Sequence, residues 1–344
     1  MSSLLSSILK VVTSFEKKDL DTSGCKSAGD CPTLPPKLWT RIFLQLERYE
    51  LLQVRMTCRS WKQLVDSNSG LREGFAISFP EGSIMDREYL PADLPPASKV
   101  TLRKVRIIEV GGWLPSLGNT LVHLCLSQCR VGLSTLEDKL RQTPKLKILE
   151  LENIATHIYR YETITKPKLE LNELECLVLD QIELVNFLSC PRLKVVKCTS
   201  IWLNKLAAFI SSYQRTLQNV EVYYESEVIQ SLTKLEHLKL KRLEFNKYPV
   251  FTTSGVITKL IELCRVQPTI EELLLPKEAN GITCDHLKQI GSYLPRLKFL
   301  RAATVQEKYN TKFLTVLPCL KVLDWNTSTK VDYSGCSSPN LLEI

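Results

Sequence analysis

Residues 144–151 read Pro-Lys-Leu-Lys-Ile-Leu-Glu-Leu, and the reading of this stretch decides the fold. Leu146, Leu149 and Leu151 stand at the first, fourth and sixth places of a unit Leu-x-x-Leu-x-Leu. In an extended chain successive side chains point to opposite faces, so Leu149 and Leu151 share one face while Ile148 and Glu150 look away from it. Pro144, two residues ahead of the leading leucine, has no N–H and biases its predecessor out of helix, so it divides a preceding helix from a following strand.

The unit recurs at Leu121-Leu124-Leu126, Leu174-Leu177-Leu179, Leu193-Val196-Cys198, Leu217-Val220-Val222 and Leu235-Leu238-Leu240. It continues at Ile270-Leu273-Leu275, Leu297-Leu300-Ala302 and Leu320-Leu323-Trp325, with a weaker opening copy at Ala97-Val100-Leu102 and the start of another in Leu341–Ile344. The spacing averages about 24 residues. Pro191, Pro268, Pro295, Pro318 and Pro339 repeat the place of Pro144. The segments ahead of them carry helical spacing: Leu136 with Leu140, Leu184 with Phe187, Ile257-Leu260-Ile261-Cys264, and Leu287-Ile290-Leu294. One strand-helix unit cannot bury its own leucines, whereas stacked units share a continuous core. The expectation is a curved solenoid over residues 97–344, with parallel strands on the concave side and helices on the convex side. The pattern resembles leucine-rich repeats. It departs from them in uneven unit length and in having few Asn or Cys residues at the turn after the strand, Cys129 being the clearest.

Residues 1–33 are polar beyond an apolar-spaced start (Leu4, Leu5, Ile8, Val11, Val12, Phe15) and read as a flexible arm. Residues 34–78 form a helical module and 79–96, with Pro80, Pro91, Pro95 and Pro96, a connector. In the module, Leu38, Trp39, Ile42, Phe43 and Leu46 make a wide apolar face, and Pro35 and Pro36 sit where a first helical turn tolerates proline. Leu51, Leu52, Val54 and Cys58 follow on a second helix, and Trp61, Leu64 and Val65 on a third. That is more apolar surface than so short a unit can hide.

Leu34-Pro35, Leu38, Ile42-Phe43, Leu46, Leu51-Leu52, Val54, Cys58-Arg59, Trp61 and Leu64 fall at the spacings of the F-box, which this segment resembles; Lys37 departs from the acidic residue usual there. The resemblance implies that Leu34, Pro35, Leu38, Ile42, Phe43, Leu46, Leu51, Leu52, Val54, Cys58 and Trp61 dock on a Skp-family adaptor. That adaptor would link the chain to a cullin scaffold, a RING subunit and a ubiquitin-charged E2, as in the substrate receptors of SCF-type ubiquitin ligases. The competing reading is a scaffold or inhibitor in which the three helices merely cap the solenoid.

Composition is ordinary, 44% hydrophobic and 24% charged. The net charge of +8 comes from interleaved signs with no block of either, which excludes a dedicated nucleic-acid stripe. No run approaches the roughly 20 apolar residues that span a bilayer. Twelve cysteines without a disulfide-framework spacing or a secretory signal fit a reducing cytoplasmic or nuclear compartment. The four histidines, His123, His157, His237 and His286, are scattered. No nucleotide, hydrolase or zinc motif is present, so no enzyme activity, cofactor or metal is expected. The remaining candidate site is the concave face, which the resemblance implies would hold a protein substrate. Alternation aims Glu150, Glu152, Asp180, Tyr223, Lys239, Phe299, Arg301 and Asp324 toward it, along with Lys99, Thr101, Arg103 and His237.

Overall fold

The computed structural model describes residues 34–72, 75–89, 94–95, 97–109, 117–156, 168–180, 188–198, 203–246, 255–276, 282–302, 311–325 and 342–343. The expected arm at 1–33 lies outside them, as do Leu184, Phe187 and His157.

The chain enters through α1 (Pro36–Phe43), with Pro36 in the first turn, where a missing N–H breaks no helical bond. Glu47 ends that segment and starts α2 (Arg48–Thr57) through a capping box with Glu50. Helices α3 (Arg59–Ser67) and α4 (Ser69–Arg72) complete the module. Its centre is Phe43, fully buried and edge-on to Trp61 at 5.3 Å, with Trp39 between 4.9 and 5.6 Å from both rings. Arg55, only 8% exposed, is held by Asp66 through two hydrogen bonds of 2.7 and 3.1 Å, which fastens α2 to α3. A fork of this kind keeps a buried guanidinium from costing several kcal/mol.

Twelve parallel strands form one sheet in chain order: β1 (Ala76–Ser78), β2 (Lys99–Arg103), β3 (His123–Ser127), β4 (Ile148–Glu152), β5 (Cys176–Leu179), β6 (Val195–Cys198), β7 (Asn219–Tyr223), β8 (Arg242–Asn246), β9 (Glu272–Leu274), β10 (Phe299–Ala302), β11 (Val322–Trp325) and β12 (Leu342–Glu343). Each pairs only with its sequence neighbours in this order, as a leucine-rich-repeat solenoid requires. Burial alternates as the leucine spacing demands. In β3, for example, Leu124 and Leu126 are buried while His123, Cys125 and Ser127 are half-exposed.

Helices α5 (Leu133–Arg141), α6 (Leu203–Tyr213), α7 (Ser226–Thr233), α8 (Val256–Val266) and α9 (Cys284–Tyr293) return the chain between strands. The first units also return through short outer strands, Ile84–Met85, Arg106–Ile107 and Arg130–Val131, which make a small parallel sheet of their own. Just past β2, β3 and β4, Lys104, Gln128 and Asn153 adopt left-handed backbone with φ of 54, 56 and 52°. This turns the chain off the sheet at the same place in three successive units. The strain, about 1–2 kcal/mol each, is offset by hydrogen bonds: Lys104 N–H donates to Ser127 O at 2.9 Å and Gln128 N–H to Glu152 O at 2.8 Å. Cys129 lies in the adjoining turn and donates its thiol to Leu102 O at 3.3 Å, which is why a small buried polar residue suits that place.

The structure moves three boundaries. The ladder begins at β1, inside the span assigned to the helical module, and the expected connector at 79–96 supplies an outer strand. Phe75 and Ala97 are buried with Ile42 and Phe43, and Ile77 of β1 packs against both this cluster and the ladder core. The helices therefore seal the ladder's open end. The stretch before Pro191 ends in a short strand, Leu188–Ser189, paired with Leu169–Glu170. The unit at Leu235-Leu238-Leu240 gives no strand at its own register. The paired strand is β8, five residues later, led by Leu240-Leu243-Phe245. Two overlapping copies of one pattern occur here, and the second matches β7 residue for residue from Asn219↔Arg242 to Tyr223↔Asn246.

Candidate functional sites on the helical module and the strand face

The residues expected to face an adaptor separate into two sets. Ile42, Phe43, Leu51 and Val54 are buried in the free chain, between 0 and 4% exposed, because the aromatic cluster and α3 close over them. They hold the module's shape and cannot themselves be its outer surface. Leu34, Leu46 and Trp61 are half-buried, whereas Pro35, Leu38, Leu52 and Cys58 are exposed.

The sequence reading includes Leu38 and Leu52 but passes over Leu44, Tyr49 and Met56, the module's most open apolar side chains. On α2, Tyr49, Leu52 and Met56 stand at i, i+3 and i+7 and are 67, 39 and 82% exposed. They form a single stripe on the helix face opposite Leu51, Val54 and Arg55. Leu38 on α1 and Leu44 at its end add 39 and 52% exposed apolar side chains. The signal was present in the sequence as two interleaved apolar faces on one helix, which a single-face reading merges.

Along the strand face, β4 brings Glu150 beside β3, its Oε1 3.1 Å from His123 Nε2. Burial draws His123's pKa down against the pull of Glu150. Burial, with Glu150 adding to it, pushes the Cys125 thiol up to about 12, so it is a neutral group and no ready nucleophile. Glu152 at the end of β4 is exposed, and Phe299 and Asp324 are half-buried on β10 and β11.

Three of the expected client-facing residues have other work. Asp180 accepts the Asn153 N–H at 2.5 Å through Oδ2 and so holds the third left-handed turn; burial raises its pKa. Arg301 reaches across Leu274 of β9 to Glu244 of β8 at 3.0 Å and also donates to Leu275 O. Lys239, with His237, lies on the lead-in to β8 because of the register shift, and the face carries Arg242, Glu244 and Asn246 in their place.

These join a network the sequence did not disclose. Arg242 pairs with Glu244 at 2.8 Å and with Glu272 at 2.7 Å. Lys197 pairs with Glu221 at 2.9 Å, and Glu221 accepts from Asn246 at 3.0 Å. Tyr223 is half-buried at the end of β7. His286 completes a capping box with Thr283 at the start of α9, a structural duty. Among the described residues no group of three or more His, Cys, Asp or Glu is placed to hold a metal ion, and no helix is long and apolar enough to cross a membrane.

Residues 32–72 match the F-box domain family. No curated protein matches the chain. Among solved structures, internalin C2 from Listeria monocytogenes is 13% identical over 81% of this chain and 92% of that chain, with a TM-score of 0.29. So loose a superposition adds nothing to the strand order and register, on which the repeat fold rests. The F-box domain match is confined to the helical module, which opens onto a ladder of stacked parallel strands.

Proposed function

We propose that this chain is the substrate-recognition subunit of an SCF-type ubiquitin ligase. Its F-box docks on a Skp-family adaptor, and its strand face receives the protein to be modified. The observation that carries the reading is the Tyr49, Leu52 and Met56 stripe, open to solvent on a module whose own core is already closed by Phe43 and Trp61. Exposed apolar side chains gathered on one face of a small module mark a partner's footprint. Pro35, Leu38 and Cys58 would extend it, with Leu34, Leu46 and Trp61 at its edge. On the ladder, Glu150, Glu152, Tyr223, Phe299 and Asp324 are the client-facing residues. The chain performs no chemistry in this scheme, because ubiquitin transfer belongs to the RING subunit and the E2, reached through the cullin scaffold in cytoplasm or nucleus.

The test is copurification of the full chain with a Skp-family adaptor. Leu52→Asp with Met56→Asp is expected to abolish the complex while leaving the melting temperature within a degree or two, since neither side chain is in the core. A double variant that still retains the adaptor would overturn the proposal. The scaffold reading draws on a different observation, the sharing of Phe75 and Ala97 between module and ladder end. It requires that no adaptor bind the unaltered chain.

A further inference from the structure

The tetrapeptides Pro-Lys-Leu-Lys at 144–147, Pro-Arg-Leu-Lys at 191–194, Leu-Lys-Leu-Lys at 238–241 and Pro-Arg-Leu-Lys at 295–298 are far apart in the chain, and neither proposed site uses them. The fold brings them into one row. Each ends on the residue just before a ladder strand, and the backbone at that place is linked from rung to rung. Glu175 N–H donates to Lys147 O, Lys194 to Glu175, Gln218 to Lys194, Lys241 to Gln218, Glu271 to Lys241, Lys298 to Glu271 and Lys321 to Lys298, at 2.7–2.9 Å. The rim where strands begin therefore carries two exposed cations on every second rung: Lys145 with Lys147, Arg192 with Lys194, Lys239 with Lys241, and Arg296 with Lys298. With Lys321 there are nine cations against the interleaved Glu173, Glu175 and Glu271, a net of +6 on this rim out of the chain's +8.

The three carboxylates are taken by neighbours: Glu173 by Arg192 at 2.8 Å, Glu175 by Lys194 at 3.2 Å and Glu271 by Lys298 at 2.5 Å. Among the described residues no ion pair holds Lys145, Lys147, Lys239, Lys241, Arg296 or Lys321. Rungs of a sheet are about 4.8 Å apart, so the doubled cations recur about every 10 Å over about 29 Å. An extended peptide advances about 3.3 Å per residue and would lay about nine residues along this row. Neither column of the rim contains an aromatic side chain, so it offers no platform for nucleic-acid bases.

We propose that this rim is a second docking surface, distinct from the strand face, for an extended Asp/Glu-rich segment of a partner protein. It does not depend on the adaptor reading. The experiment uses the full chain alone at about 50 mM salt, where charge attraction is weakly screened. A fluorescent ten-residue oligoglutamate peptide is titrated in, and a ten-nucleotide oligothymidylate serves as the competing polyanion. The peptide should bind, weaken as salt rises, and bind about tenfold more weakly to Lys147→Glu/Lys241→Glu, while Arg106→Glu/Arg130→Glu, the same change of charge on the outer strands, keeps its affinity. All four positions are exposed, and matching melting temperatures establish that the variants are folded. Absence of peptide binding, an equal loss in both double variants, or tighter binding of the oligonucleotide would each overturn the proposal.

Discussion

The helical module and the strand face of the ladder treat their exposed side chains in opposite ways. The module leaves Leu38, Leu44, Leu52 and Met56 exposed among the described residues. The middle of the strand face has settled its charges internally: Arg301, Glu244, Arg242 and Glu272 form one connected set, and Lys197, Glu221 and Asn246 another. An apolar face of the first kind gains free energy from any partner that covers it, at about 25 cal/mol per Å². A partner on the second kind of face must first replace existing ion pairs, so it gains selectivity more than affinity. Under the proposed function, this difference gives the module the part of constant association and the ladder that of discrimination.

That contrast assigns Phe43 to architecture, and the largest expected effect tests it. Phe43→Ala should cost about 3–5 kcal/mol, the usual penalty for emptying a buried aromatic site. Because the cluster reaches Phe75 and Ala97, the loss should spread into the first ladder strands. Hydrogen exchange of the full chain reads this directly: protection should fall in 34–78 and around Lys99–Arg103, while β8 to β10 stay protected. Loss of adaptor binding with no change in exchange would return Phe43 to the contact surface and dissolve the distinction between the module's core and its outer stripe.

Much of this was legible in the sequence because period-2 alternation and phased prolines are local signals. Leu149 and Leu151, or Leu300 and Ala302, were bound to face inward once a strand was granted. What stayed hidden depended on partners distant in the chain. Arg301 and Glu244 are 57 residues apart, and nothing local marks them as a pair. The cationic rim likewise exists only after stacking. The overlapping units at Leu235-Leu238-Leu240 and Leu240-Leu243-Phe245 were locally equivalent, and only the register with β7 chooses between them. On the module, the sequence showed apolar residues but not which of two faces on α2 the third helix would cover.

The register choice predicts an intermediate effect on the ladder's side of the comparison. Leu240 is fully buried, whereas Leu235 is only partly covered. Leu240→Ala should cost about 2–4 kcal/mol and Leu235→Ala about 1 kcal/mol or less, measured by urea denaturation. The reverse ranking would restore the earlier strand, put Lys239 back on the strand face, and remove Glu244 from the network.

The smallest effect bears on whether the strand face is self-sufficient at all. Burial alone would raise the Glu244 carboxyl's pKa, but Arg242 and Arg301 outweigh it and hold the pKa below the usual glutamate range. Stability arising from this depression is fully present above the unfolded carboxyl's pKa, about 4.3, and drains away as pH falls through the lower folded value. Glu244→Gln should therefore cost about 1 kcal/mol at pH 7, in keeping with ion pairs that solvent partly screens. The gap between variant and unaltered chain should narrow as the pH drops below about 4. A gap that stays constant down to pH 3 would mean that the carboxylate's charge contributes nothing and that its place is held by packing. The strand face would then have cations to spare for a client, and the contrast with the helical module would become one of degree.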